Sequence, residues 1–117
     1  TKQKSLDLFQ ELENFMKTQK PYHDPELTLF GLAKQLDIHP NHLSQIINQH
    51  YSQNFFDYIN QYRINDVKEI LLSGKYDTFS LAGIGFECGF NSKASFNRAF
   101  KKFTGITPSE FRKNAKN

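Results

Sequence analysis

The segment Gly89–Arg112, GFNSKASFNRAFKKFTGITPSEFR, combines several helix signals with the densest positive charge of the chain. Ser92 is a suitable N-cap for a helix that begins at the next residue. Phe96, Phe100 and Phe103 recur at the i, i+4, i+7 spacing of a buried helix face. The segment therefore predicts an amphipathic helix whose phenylalanines face a core.

The end of this helix and the beginning of another are also marked. Gly105 predicts a left-handed C-cap that ends the first helix. The residues Thr107-Pro108-Ser109-Glu110 then predict a new N-terminus. Threonine would be the cap, proline the first helical residue, and glutamate the partner that closes a capping box.

The polar face of the first helix presents groups that suit DNA. Ala94, Asn97, Arg98 and Lys101 lie opposite the phenylalanines. The amide of Asn97 and the guanidinium of Arg98 can hydrogen-bond base edges in a major groove, and the ammonium of Lys101 suits a phosphate. Taken alone, the same face also fits the solvated surface of a small helical protein.

Composition limits the protein class. The 117 residues are enough for one domain, or for two very small ones that share a connecting helix. The single cysteine, Cys88, excludes an internal disulfide and fits a packing role in a reducing cytosol. The chain lacks an 18-residue apolar run, and its start, TKQKSLDLFQ, lacks an apolar signal core. We therefore expect a cytoplasmic location and no membrane contact by this segment.

The net charge of +3 conceals an asymmetry. Residues 1–92 hold 8 Lys/Arg against 11 Asp/Glu, whereas residues 93–117 hold 7 against 1. A basic end on a mildly acidic body is typical of a protein that contacts a polyanion through one region. Because this charge falls on patterned helix, a binding face is favoured over a disordered basic tail.

The first half of the chain predicts three helices. The first runs from about Ser5 to Thr18, and a second is capped by Thr28. After the interruption at residues 37–40, a third runs from Asn41 to about Gln49. Two short helices joined by a tight turn form a helix-turn-helix, although a generic helical hairpin would show the same pattern. The outward residues of the third helix are Asn41, Ser44, Gln45 and Asn48.

An internal repeat favours the helix-turn-helix interpretation. Residues 28–33 precede residues 80–85, which have a similar pattern, by 52 positions. Residues 41–48 precede residues 94–101 by 53 positions, so the second turn holds one extra residue. Two copies of one unit are more consistent with DNA binding than with a generic hairpin.

A long helix from Phe55 to about Leu72, capped by Asn54, separates the copies. Phe56, Ile59, Val67, Ile70 and Leu71 form its predicted apolar stripe, and Arg63 falls within the stripe, which predicts a partly buried structural role. Its 18 residues would span roughly 27 Å. With the flanking units, this length is compatible with the separation of about 34 Å between successive major-groove faces.

Several fixed spacings resemble one family. The second half contains Leu81-x-x-Ile84, Gly89-Phe90, Phe96-Asn97-Arg98-x-Phe100-Lys101-Lys102 and Gly105-x-Thr107-Pro108-x-x-Phe111-Arg112. Together with Leu29-x-x-Leu32-Ala33, Leu43-Ser44 and Arg63-Ile64, this pattern resembles AraC/XylS-type transcription regulators over residues 26 to 114. The resemblance implies an all-α fold of about seven helices, with two helix-turn-helix subdomains joined by a linker helix.

The resemblance also implies roles for individual residues. Base contacts are expected from Asn41, Ser44, Gln45, Lys93, Ala94, Asn97 and Arg98. Phosphate contacts are expected from Asn48, Asn91, Ser92, Lys101 and Lys102. Structural roles are expected for Arg63, Gly89, Phe90, Gly105 and Pro108.

Some positions depart from the family pattern. Gly85 replaces a usual alanine, which weakens its helix by about 1 kcal/mol. Gly31 and Gly83 stand where an acidic capping-box residue is common. Residues 39–50 hold no Lys or Arg, so the non-specific affinity of the first reading helix for DNA is expected to be weak. Three histidines lie there without cysteine or acidic neighbours, and we expect neither a metal site nor a cofactor.

The sequence predicts four regions: an N-terminal helix and lead-in at 1–25, helix-turn-helix units at 26–53 and 75–117, and a linker helix at 54–74.

The favoured function is sequence-specific binding of double-stranded promoter or operator DNA by a bacterial regulator. A helical protein-interaction module is the alternative. An enzyme is not expected, because the chain lacks a phosphate loop, a nucleophile elbow and paired carboxylates. The resemblance further implies activation through RNA polymerase and a sensor or dimerisation domain outside these residues.

Overall fold

The computed structural model describes residues 2–116, and in this part of the chain every regular element is helical. The prediction of an all-α fold is confirmed. No helix among the described residues is long and apolar enough to cross a membrane. The α-helices are α1 (Lys2–Gln19), α2 (Leu29–Leu36), α3 (Pro40–Tyr51), α4 (Phe55–Ser73), α5 (Leu81–Glu87), α6 (Lys93–Thr104) and α7 (Pro108–Ala115), with one 3₁₀ turn at Pro21–His23.

The chain forms two compact units. The first comprises the chain up to Tyr22 together with Glu26–Ile59, and the second comprises His23–Pro25 and the chain from Asn60 onward. Helix α4 therefore begins in one unit and ends in the other. The N-terminal helix α1, predicted from about Ser5 to Thr18, is part of the first unit and packs against α3.

The first unit buries one side of each of its helices. In α3 the buried residues are Leu43, Ile46 and Ile47, as the helical spacing predicts. In α1 the buried residues are Leu12 and Met16, and in α2 they are Leu32 and Ala33. These aliphatic side chains hold α3 against α1 and α2, so that its opposite side stays exposed.

The turn between α2 and α3 is defined at both ends. The side chain of Thr28 accepts a hydrogen bond from the Gly31 amide at the start of α2. Asp37 ends α2 in the left-handed conformation, with φ of 56°. Short polar residues such as aspartate tolerate this conformation better than most others. The chain is thereby redirected within a few residues into α3.

The second unit has a core of aliphatic and aromatic side chains. It includes Cys88, which is buried as predicted for a packing residue. The other buried members are Ile64, Val67, Leu71, Ile84, Phe90, Phe96, Ala99 and Phe100.

The predicted stripe of α4 was wrong at Phe56, which is 73% exposed. Phe55 and Tyr58 are buried instead, together with Ile59. The sequence predicted one apolar stripe along the whole helix, but the start of α4 belongs to the first unit and its remainder belongs to the second. The buried residues in the two parts of α4 therefore do not form one continuous stripe.

Candidate nucleic-acid interface

Helix α6 has one buried and one exposed face. Phe96 and Phe100 are almost fully buried, and Ala99 is buried beside them. All six residues predicted to contact DNA from this helix are exposed. They are Lys93, Ala94, Asn97, Arg98, Lys101 and Lys102.

A row of aromatic contacts fixes the orientation of α6. The rings of Phe90 and Phe96 have centroids 5.4 Å apart, and those of Phe96 and Phe100 are 6.0 Å apart. Phe111 of α7 meets Phe100 edge-on with centroids 5.5 Å apart. Such tilted and edge-on pairs are favourable aromatic contacts, and they anchor the apolar face of α6 in the core of the second unit. The polar face of α6 is therefore held in one direction.

Both ends of α6 are capped by residues predicted from the sequence. The Ser92 side chain accepts a hydrogen bond from the Ser95 amide at 3.1 Å. Gly105 ends the helix with φ of 83°, and its amide donates to the Lys101 carbonyl. Ser92 and its neighbour Asn91 are exposed. The Ser92 hydroxyl, which was predicted to contact a phosphate, is also the group that caps α6.

Other residues given structural roles lie around this helix. Gly89 has φ of 113°, a conformation that favours glycine, and is followed by the buried Phe90. Pro108 is buried at the first position of α7. Thr107 and Glu110 form the predicted capping box, with the Glu110 amide 3.1 Å from the threonine hydroxyl.

Helix α3 offers a second exposed polar face. Asn41, Ser44, Gln45 and Asn48 are all exposed, opposite the buried aliphatic residues. The helix is capped by His39, whose Nδ1 accepts a hydrogen bond from the Asn41 amide at 3.1 Å. Sequence reasoning missed this cap, because histidine is rarely an N-cap; the following Pro40 at the first helical position was the available signal.

The two faces differ in charge. Helix α6 carries one arginine and three lysines on or beside its exposed face, whereas α3 carries amides, a hydroxyl and imidazoles. The α6 face can neutralise phosphates and hydrogen-bond bases, whereas the α3 face offers hydrogen bonds alone. Among residues 2–116, no three His, Cys, Asp or Glu side chains come together as a metal site would require.

Arg63 of α4 is held inside the second unit. Its Nη2 donates to the Asp24 carbonyl and its Nη1 donates to Asn60 Oδ1, both at 3.0 Å. The guanidinium also lies over the Phe90 ring, 5.7 Å from the centroid. Burial lowers the pKa of Arg63 from its ordinary value, and the carboxylate of Asp24 acts in the opposite direction. These contacts direct the guanidinium into the unit.

A hydrogen bond that the sequence did not predict joins the 3₁₀ turn to α4. His23 Nε2 and Asp66 Oδ2 are 2.7 Å apart. His23 lies in the 3₁₀ turn, and the side chain of Asp66 is only 17% exposed, so the contact is partly shielded from solvent. The two residues are 43 positions apart, and no local pattern connects them.

Comparisons with known proteins agree with this architecture. A family model described as a helix-turn-helix domain matches residues 32–114. The HTH-type transcriptional regulator YpdC of Escherichia coli is 34% identical over 93 residues, which cover 80% of this chain and 31% of that protein. The arabinose operon regulatory protein of Salmonella typhimurium is 29% identical over 89 residues, which cover 76% of this chain and 31% of that protein.

A solved structure has the same fold. The C-terminal domain of AraT, a response regulator from Geobacillus stearothermophilus, superposes with a TM-score of 0.77 at 26% identity, covering 92% of this chain and 84% of that one. The chain spans about a third of the length of the two curated relatives named above. With more than half of its residues matched by the family model, the chain belongs to the AraC-type helix-turn-helix family, the DNA-binding domains of transcription regulators.

Proposed function

We propose that this domain recognises a specific double-stranded DNA sequence by placing α3 and α6 in two adjacent major grooves of a promoter or operator. One observation carries the proposal: each of the two helices has an exposed polar face directly opposite a buried apolar face. The second helix of a helix-turn-helix unit enters the major groove, and its exposed side chains reach the base edges. Each unit therefore supplies one reading helix.

Helix α6 contributes the stronger base contacts. The guanidinium of Arg98 suits O6 and N7 of guanine, and the amide of Asn97 suits N6 and N7 of adenine. Ala94 offers a methyl group for a thymine methyl, and Lys93 offers an ammonium donor near the start of the helix.

Helix α3 reads bases with neutral groups. Gln45 suits adenine by the same two-bond geometry as asparagine, and Ser44 can donate or accept. Asn41, at the N-terminal end of the helix, lies where recognition helices most often meet bases. The block of DNA read by α3 is therefore expected to contribute specificity without much salt-dependent affinity.

Phosphate contacts orient both helices on the duplex. Lys101 and Lys102, at the end of α6, supply charge to the DNA backbone. The polar side chains of Asn48, Asn91 and Ser92 supply hydrogen bonds, which position a protein without reading sequence.

The domain acts as the output part of a longer regulator. The chain spans only about a third of the length of the two relatives, which supports a separate sensor or dimerisation domain in the full protein. A cytoplasmic location follows from a promoter as partner, and activation would follow from contact with RNA polymerase beside that promoter.

Selection of duplexes from a random library tests the proposal. The recovered motif should be asymmetric, with two short blocks about one helical turn apart. Arg98→Ala should remove discrimination at one block and Gln45→Ala at the other, each by about 1 to 3 kcal/mol per base pair. Lys17→Ala, exposed on α1 and outside both reading faces, is the control that should keep both blocks. A failure to enrich any sequence would contradict the proposal and favour the protein-interaction module.

A further inference from the structure

A groove beside α3 adjoins the face predicted to read bases, and apart from Gln45 its polar residues have no role assigned so far. It lies wholly in the first unit, has a volume of about 570 Å³, and is open to solvent. Its walls come from the start of α1 and from one side of α3. Its polar lining consists of Lys2, Ser5, His42, Gln45, Gln49 and His50.

The chemistry of the groove fits an anion. Lys2 supplies an ammonium group, and Ser5 and the two glutamines supply hydrogen-bond donors. Among the described residues that line the groove, none is acidic, although the first half of the chain as a whole carries more acidic than basic residues. The polar residues of the groove, which lie beside the apolar Leu6 and Ile46, therefore meet no competing carboxylate in the described part of the lining.

The position of the groove identifies the anion. Gln45 belongs both to the groove lining and to the exposed polar face of α3. His42 and Gln49 lie on the same flank of the helix, because positions three and four apart in a helix are neighbours. When α3 lies in a major groove, a DNA strand passes along each flank, and its phosphates face the side chains there.

We infer that this groove binds backbone phosphate of the duplex that α3 reads, with Lys2 of α1 as its charged contact. The inference rests on the proposed reading of DNA by α3. It would add one cationic phosphate contact to the first unit, where residues 39–50 hold no Lys or Arg. The cation is provided instead by the helix that packs beside α3.

A salt series with the selected duplex tests the inference. Removal of one phosphate contact should reduce the slope of log K against log salt by about 0.9. The affinity ratio of wild type to Lys2→Gln should therefore shrink about 3.5-fold between about 50 and about 200 mM salt. Lys17→Gln makes the same charge change at an exposed site on α1 outside the groove and should leave the slope unchanged.

A second variant tests the groove without changing Lys2. Gln49→Glu places a carboxylate in the lining and should lower affinity, with the same block pattern in the recovered motif. If the wild type binds the selected duplex while both groove variants keep its affinity and slope, the inference is overturned and the proposed function stands. If the wild type selects no duplex, the proposed function itself fails.

Discussion

Gly85 of α5 lies directly against the ring of Phe96 of α6. A Cβ atom at position 85 would stand 2.8 Å from two carbons of that ring. Phe96 is 1% exposed and is flanked by Phe90 and Phe100, so its ring has little room to move. The glycine that weakens α5 thus allows α5 to approach α6 closely.

Gly85→Ala should lower the free energy of unfolding. Overpacking of a core typically costs about 1 to 3 kcal/mol, while alanine improves helix propensity by about 1 kcal/mol. We expect a net loss of about 1 kcal/mol, measured by urea unfolding followed by circular dichroism. The same change in a Phe96→Leu background should cost less, because leucine can repack. A Gly85→Ala protein more stable than wild type would contradict the close contact.

Arg63→Lys should lower stability without altering DNA reading. Lysine keeps the charge but cannot reproduce the two directed bonds to the Asp24 carbonyl and Asn60. We expect a loss of about 1 to 2 kcal/mol in the free energy of unfolding. Binding of the selected duplex should keep its salt slope. A reduced slope would instead place Arg63 among the phosphate contacts.

Thr107→Ala should destabilise α7 by removing its cap. The threonine hydroxyl accepts from the Glu110 amide, and the Glu110 carboxylate accepts from the Thr107 amide and hydroxyl. Loss of a capping side chain costs about 1 kcal/mol. Urea unfolding measures this loss in the free energy of unfolding. The matched control is Ser109→Ala at an exposed position directly after Pro108, which should leave stability nearly unchanged. Equal effects of the two changes would rule out a specific cap.

Lys101→Gln and Lys102→Gln should each weaken binding to all DNA sequences alike. Both lysines are exposed in the last turn of α6, and Lys102 also lies over the Phe103 ring. Each variant should reduce the salt slope by about 0.9 and leave the selected motif unchanged. Lys113→Gln on α7 controls for the loss of one exposed charge. Altered preference at a base position would assign the affected lysine to base reading instead.

The helix faces and helix caps that the sequence predicted depend on residues close together along the chain. The apolar spacing of α3 and α6 identified the buried residues Leu43 and Phe96, because a helix brings positions three and four apart to one face. Caps at Thr28, Ser92 and Thr107 were visible because each acts on an amide three residues away. The repeat and the family resemblance supplied the helix-turn-helix architecture, and with it the two exposed polar faces.

The remaining features depend on contacts between distant parts of the chain. The pairing of His23 with Asp66 joins residues that no periodicity relates. The exposure of Phe56 depends on which residues at the start of α4 pack in the first unit, and the groove beside α3 depends on how α1 packs there. Helix identity and the amphipathic faces of α3 and α6 were therefore determined by the sequence alone, because they follow from local spacing. Tertiary structure decided which faces meet, because packing brings together residues that are far apart along the chain.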